Sequence, residues 1–197
     1  MMRNFIMTMT LTALMMSTAS TRAAEYEIDI SHTRVGFSVK HMVISTVRGE
    51  FTDYEGKIFF DENDVTRSTV EGTIKVASIS TSNEKRDEHL RSSDFFDVQN
   101  HPEITFKSKR VEKRGDNHVI IGDFTMRGVT REVEIPFKVT GTLVDPWGGE
   151  RVGIEAAFTL NRKDYGVAWT KTLDNGGLVV SDQVNIELFF QGIKKKQ

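Results

Sequence analysis

"TREVEIPFKVTGTLV" runs from Thr130 to Val144, and its alternation decides the fold. Val133, Ile135, Phe137, Val139 and Leu143 fall on one face, while Glu132, Glu134, Lys138 and Thr140 fall on the other. A period of two, apolar against polar, is the signature of a β-strand with one face buried and one wet. The same period recurs along the chain. Val184, Ile186, Leu188 and Phe190 alternate with polar residues, as do Val152, Ile154, Ala156, Phe158 and Leu160. Shorter runs repeat it at Val35, Phe37 and Val39, at Val70, Gly72, Ile74 and Val76, and at Ile104 and Phe106. With Tyr54 to Phe60, Val119 to Met126 and a short strand near Tyr26, this predicts eight or nine one-sided strands.

Turn clusters separate the strands: "DEND" at Asp61, "RGDN" at Arg114, "DPWGG" at Asp145 and "DNGG" at Asp174. "TMRGVT", Thr125 to Thr130, reads as a hairpin with Gly128 at a positive φ. Long antiparallel strands with short turns favour an all-β, eight-stranded antiparallel barrel, which leaves no exposed edges. A two-sheet sandwich is the alternative. Gly56, Gly72, Gly141 and Ala156 fall on the expected inner face, so the interior is either filled or open to one small ligand.

One stretch breaks the alternation. "EKRDEHLRSSDFFD", Glu84 to Asp97, is made of helix formers and charges. Thr81 and Glu84 have capping-box spacing, and Asp87 and Arg91 have the spacing of an i,i+4 ion pair. Leu90 is the helix's single strongly apolar side chain, so the helix needs anchors outside itself. Phe95, Phe96 and Val98 are the expected ones, making it a closing element at a barrel end. "HMVIS", His41 to Ser45, interrupts the alternation with three apolar residues; it reads either as a strand bend packed over the core or as a rim touching ligand or membrane. Trp147 is expected to fold back over one barrel end, and Tyr165 and Trp169 to line the opposite opening.

Residues 1–24 have the pattern of a cleaved secretory signal: Arg3, an apolar run from Phe5 to Met16, then small residues to Ala24. The remaining 25–197 forms one domain. Removing Arg3 and Arg22 with the signal takes the formal charge from −2 to −4, a poor balance for nucleic acid. The chain has no cysteine, which excludes thiolate zinc sites and cysteine nucleophiles. The histidines, His32, His41, His89, His101 and His118, form no HExxH pair, and no GxSxG elbow is present. The expectation is a protein without catalysis and without a resident cofactor or metal.

Four segments in order resemble the YceI-like family of bacterial periplasmic, polyisoprenoid-binding proteins. They are "EYEIDISHTRVGFSVKHM" from Glu25, "TSNEKRDEHLRSSDFFDVQNHPEITFKS" from Thr81, "IIGDFTMRGVTREVEIPFKV" from Ile120 and "DPWGGERVGIEAAFTLNRKDYGV" from Asp145. The resemblance spans essentially the whole domain. It implies a lipocalin-like barrel whose apolar tunnel holds an isoprenoid lipid, quinone-like or a polyprenyl phosphate. The tail contacts are then expected from Phe37, Val39, Ile74, Phe106, Ile135, Phe137 and Phe158, with Phe96 and Trp169 at the ends. Rim donors for a head group are expected from Arg86, His89 and Arg91, with Lys40 or His41 after the first long strand. Transient membrane contact and a homodimer are left open by the sequence. The competing readings are a filled barrel acting through its surface in stress, and an enzyme on an apolar substrate.

Overall fold

The structure, a computed structural model, describes residues 23–172 and 177–196. The export-like segment lies outside the described residues except for its last two, and so does most of the "DNGG" turn. Eleven strands follow one another: β1 Ala24–Ile28, β2 Arg34–His41, β3 Ser45–Phe51, β4 Tyr54–Phe60, β5 Thr69–Lys75, β6 Ile79–Ser80, β7 Glu103–Arg114, β8 Asn117–Met126, β9 Val129–Val144, β10 Glu150–Asn161 and β11 Val180–Lys194. One α-helix, α1 Glu84–Arg91, sits between β6 and β7. All pairings are antiparallel, and β1 pairs with both β4 and β11. That double pairing closes the ring β1-β4-β5-β7-β8-β9-β10-β11, the eight-stranded barrel expected from the alternation. The extra strands β2, β3 and β6 extend the wall at one end, which we call the top.

The alternation maps onto the wall. In β4, Tyr54, Ile58 and Phe60 are buried while Glu55, Lys57 and Phe59 face out. The outer face carries cross-strand ion pairs such as Lys107–Glu71 at 2.8 Å and Arg114–Glu134 at 2.7 Å. Strand β3 was not legible, because Thr46, Arg48 and Gly49 give it little apolar period. Leu143 departs from the expected face. The register of β9 against β10 shifts between Gly153 and Ile154, with Gly141 at the shift, so Leu143 turns outward and is 60% exposed. Gly141 therefore marks a bulge and not the barrel interior.

The base and the top are held differently. Along the base, β9 pairs with β10 from Val144↔Glu150 to Phe137↔Ala156. There the pairing stops, at Pro136, which has no amide hydrogen for another rung. Above it, β9 continues only with β8, and β10 only with β11. Side chains bridge the seam. Arg131 Nε donates to the Asp164 carbonyl at 2.9 Å, and Arg127 donates to the carbonyls of Gly166 and Ser93. Arg127 reaches them from the β8–β9 turn, where it and Gly128 have φ of 49° and 74°, as a two-residue hairpin of the I′ kind needs.

The segment around α1 closes the top as expected, with different local bonds. The helix cap is Asn83, whose Oδ1 accepts from Arg86 N at 3.0 Å, and not Thr81. Thr81 instead donates its hydroxyl and its backbone N–H to the buried Asp87. With Asp87 occupied, Arg91 pairs with Glu84 at 3.1 Å and donates to the Ala77 and Ile79 carbonyls. Phe95 is buried at the end of this segment, and Phe96 meets Phe51 edge-on at 6.1 Å between ring centres.

At the base, Arg151 bridges two acids, Asp29 at 2.7 Å and Asp145 at 2.6 Å. Asp145 also accepts from the N–H groups of Trp147 and Gly149 and so builds its own turn. That turn projects the Trp147 indole into solvent, 83% exposed, instead of folding it over the barrel end. Hydrogen bonds from Ser31, then His32 and Arg151, hold the Asp29 carboxyl well below the usual range against the opposing effect of burial. The folded-state value lies below the unfolded one of about 3.9, so this stabilisation is complete above that pH and is lost as pH falls through the folded value. Asp29→Asn is therefore expected to lower the thermal midpoint at neutral pH and to flatten its fall below about pH 4, measured by thermal unfolding across a pH series.

Gly122 faces the bulge between Ser108 and Arg110 of β7. A Cβ there would strike the Lys107 carbonyl and lie 2.8 Å from Ser108 Cα. Gly122→Ala is expected to cost about 1–3 kcal/mol as overpacking, read by denaturant titration.

Candidate ligand cavity

The inward residues do not meet across the barrel. They leave a cavity of about 290 Å³ along the barrel axis. On β11 its lining runs from Val180 through Val184, Ile186 and Leu188 to Phe190. Ten residue-to-residue steps of ~3.3 Å, on strands tilted by roughly 40°, give a lined length of about 25 Å. Gly56, Gly72 and Ala156 keep the lumen open: Gly56 and Gly72 are cross-strand partners, and Gly72 is opposite Phe106. Toward the base, Tyr26, Ile58, Phe60 and Val152 pack into a solid floor. At the top, Leu90, Phe95 and Phe96 reach the cavity from α1 and the turn after it.

Few polar groups reach the lining. Tyr54 donates its hydroxyl to the Thr33 carbonyl at 2.7 Å, and burial, then Glu50, pushes its phenol up. Glu55 and Glu71 touch the lining through the thin glycine region, while the Glu71 carboxylate pairs outward with Lys107. Among the described residues, the one cation in the lining is Arg162, 4% exposed. Its Nη1 donates to the carbonyls of Val167 and Trp169, its Nε to Ser181, and its Nη2 reaches Val180 and Asp182. All five N–H groups of the guanidinium are thus engaged. Burial lowers its pKa, opposed by the Asp182 charge. Arg162 ties the segment after β10 to the start of β11, and so shapes the top of the cavity. Sequence reading passed over it. Extending the period of two from Phe158 and Leu160 by one step would have pointed it inward.

Eight expected contacts line the cavity: Phe37, Val39, Ile74, Phe96, Phe106, Ile135, Phe137 and Phe158. The remaining candidates lie elsewhere. His41 ends β2 opposite Val180, outside the lining. Arg86 donates to the Thr81 hydroxyl at 2.7 Å and to the Thr81 carbonyl at 2.9 Å. Arg91 is occupied as described above. His89 bonds Asp94 at 2.9 Å and meets the Phe95 and Trp169 rings edge-on at 5.0 and 5.4 Å. Trp169 covers Phe95 from outside, with ring centres 5.2 Å apart, and does not reach the lumen. Trp169 and the buried Tyr165 stand at the same end as α1, opposite the Trp147 turn, where Arg162 folds their segment back over the top. Among the described residues, no cluster of three or more His, Asp or Glu is placed to hold a metal, and no helix is long and apolar enough to cross a membrane.

A closed eight-stranded antiparallel barrel with an apolar axial cavity between a packed floor and a helical cap is a lipocalin-like architecture. The chain belongs to the YceI-like domain family, which matches residues 26–191. It is 37% identical to the protein YceI of Escherichia coli over 197 residues, covering 99% of this chain and all of that one. Among solved structures, the YceI protein of Campylobacter jejuni superposes with a TM-score of 0.70 at 32% identity, over 86% of this chain and 97% of that one. A polyisoprenoid binding domain from Saccharophagus degradans superposes with a TM-score of 0.63 over 88% of this chain and 99% of that one. At 13% identity it shows a shared fold.

Phe95 joins the cap to the core. Phe95→Ala is expected to cost about 3–5 kcal/mol. Adding Phe96→Ala is expected to speed amide exchange across Glu84–Val98 ahead of the base strands, as hydrogen-exchange mass spectrometry would show.

Proposed function

We propose that this protein is a periplasmic, non-catalytic carrier that sequesters an isoprenoid lipid in its barrel. The observation that carries this reading is the lining, which is apolar along about 25 Å of strand and closed at both ends by packed aromatics. Each methylene moved from water into such a space gains roughly 0.8 kcal/mol. A tail of several isoprene units thus gains enough to offset the cost of immobilising it. The Saccharophagus degradans domain, which shares the fold, is itself described as polyisoprenoid binding. The N-terminal export pattern supports the periplasmic assignment.

The polar groups refine the ligand. A phosphate wants unengaged donors, and Arg162 has none to offer. The rim candidates Arg86 and Arg91 are bonded to backbone carbonyls. This favours an uncharged, quinone-like head over a polyprenyl phosphate within the cavity. Among the described residues, no histidine is part of the lining that carries the Tyr54, Ser68, Thr73 and Thr105 hydroxyls. A second reading, a stress-related protein acting through its outer surface, draws on the exposed Leu143, Val144 and Trp147.

Native mass spectrometry with lipid extraction, on protein recovered from its host's envelope, tests the proposal and reports whether barrels pair. Gly72 supplies the decisive variant. It shares the inward face of Val70 and Ile74, and a Cβ there meets only the Glu55 carbonyl at 3.8 Å. Gly72→Leu is expected to fill the lumen and abolish prenyl-lipid retention with the fold intact, while Gly72→Ala retains the lipid. Equal retention in both, or a ligand-free wild type that takes up no quinone, overturns the carrier reading.

A further inference from the structure

The β2–β3 hairpin ends in Met42, Val43 and Ile44, and this tip contradicts both its solvent and its backbone. The three side chains are 40%, 68% and 87% exposed. Met42 and Val43 have φ of 50° and 66°, a region that favours glycine and asparagine and is a genuine outlier for a β-branched residue. Asn-Gly would serve this turn better in water. Strain of this kind, where a soluble and unstrained alternative exists, points to a site and not to a scaffold.

The surroundings identify what the tip meets. Lys40 and Arg48 stand on the outer face of the same hairpin, Lys40 opposite Thr46 and Arg48 opposite Ser38. Both are exposed, and neither has an ion-pair partner among the described residues. The hairpin's one carboxylate, Glu50, is already held by Arg34 at 2.8 Å. The tip also adjoins the cavity. The N–H of Met42 donates to the Val179 carbonyl at 2.8 Å, and the neighbouring Val180, which pairs with His41, is part of the lining.

We infer that the Met42–Val43–Ile44 tip inserts into the surface of an anionic bilayer, docking the top of the barrel on the membrane from which its ligand is drawn. A second copy of the chain fits less well. A stable protein interface engages about 20–30 residues a side, and a convex turn of three side chains falls far short. A bilayer interface accepts a small apolar wedge flanked by cations, because tails take the wedge and anionic head groups take the charges. The purpose assigned to the docking rests on the carrier reading. The docking itself does not, since it is measured with no ligand present.

The test uses the chain from Ala24 onward, which contains every strand of the ring, and co-sedimentation with vesicles. Wild type is expected to bind phosphatidylglycerol-containing vesicles more tightly than phosphatidylcholine ones. Ile44→Asp is expected to weaken binding to both about tenfold or more. Lys40→Glu with Arg48→Glu removes only the preference for the anionic lipid. The double variant Met42→Asn, Val43→Gly separates docking from folding: it is expected to raise the thermal midpoint while lowering vesicle binding. Trp147→Ser, at the opposite end of the barrel, leaves binding unchanged. Tip variants that sediment like wild type overturn the inference, as does loss of binding through Trp147→Ser instead. A concentration-dependent doubling of mass without vesicles, abolished by Ile44→Asp, assigns the tip to self-association and also overturns it. A protein that docks but holds no prenyl lipid defeats the carrier reading alone.

Discussion

The architecture depends on how one strand shares its edge. β11 is 15 residues long and pairs with β10 on one side. On the other side it serves two strands in turn: β1 at its end and β2 at its start. The chain between them, 29–33, leaves the sheet and returns without orphaning its polar groups. Asp29 N donates to the Gln191 carbonyl at 2.9 Å, and Gln191 N donates to Thr33 Oγ1 at 3.1 Å. This detour allows β1 to turn away and meet β4, closing the ring at the base. It allows β2 to carry β3 past the ring at the top. One side of the barrel is therefore tall, and both the cavity's reach to Val180 and the exposed hairpin tip follow from that height.

An open lumen means lost packing. Protein interiors usually fill to crystal-like density, and each unfilled region forfeits dispersion contacts. This barrel concentrates its packing at the floor around Tyr26 and Phe60 and at the cap around Phe51, Phe95 and Tyr165. The wall between has a smaller cluster around Val111, Ile120 and Ile135, and is otherwise held by backbone ladders and outer ion pairs. A guest that fills the lumen would supply the missing contacts, so binding and stability are linked through the same side chains.

Much of this was legible because an alternation of two is a direct print of a one-sided wall. The strands carrying Val133 to Val139 and Val184 to Phe190 needed no further information. Neither did the dependence of α1 on Phe95 and Phe96. The unread features obey competition between local rules. Thr81 had the spacing of a cap, yet Asn83 took that place because Asp87 claimed the Thr81 hydroxyl. Leu143 kept its period, but a bulge moved it outward. Trp147 looked like a lid until Asp145 built the turn that aims it away. Arg162 is charged, and nothing in a single sequence says that four backbone carbonyls and the Asp182 carboxylate will together satisfy its guanidinium. The head-group candidates were chosen by charge, and charge alone does not reveal which cations the backbone has already engaged.

The parting of β9 and β10 above Pro136 gives the barrel two kinds of girth. Below it, strand number and stagger dictate the diameter, and no guest can alter it without breaking rungs. Above it, the circumference is set by the rotamers of Arg127 and Arg131 and by the ring stack on Phe95. Any discrimination between guests by shape would therefore belong to the lower lumen, whose width the rungs fix. The upper lumen behaves as an elastic collar, indifferent to whether the part of the molecule it encircles is slim or bulky.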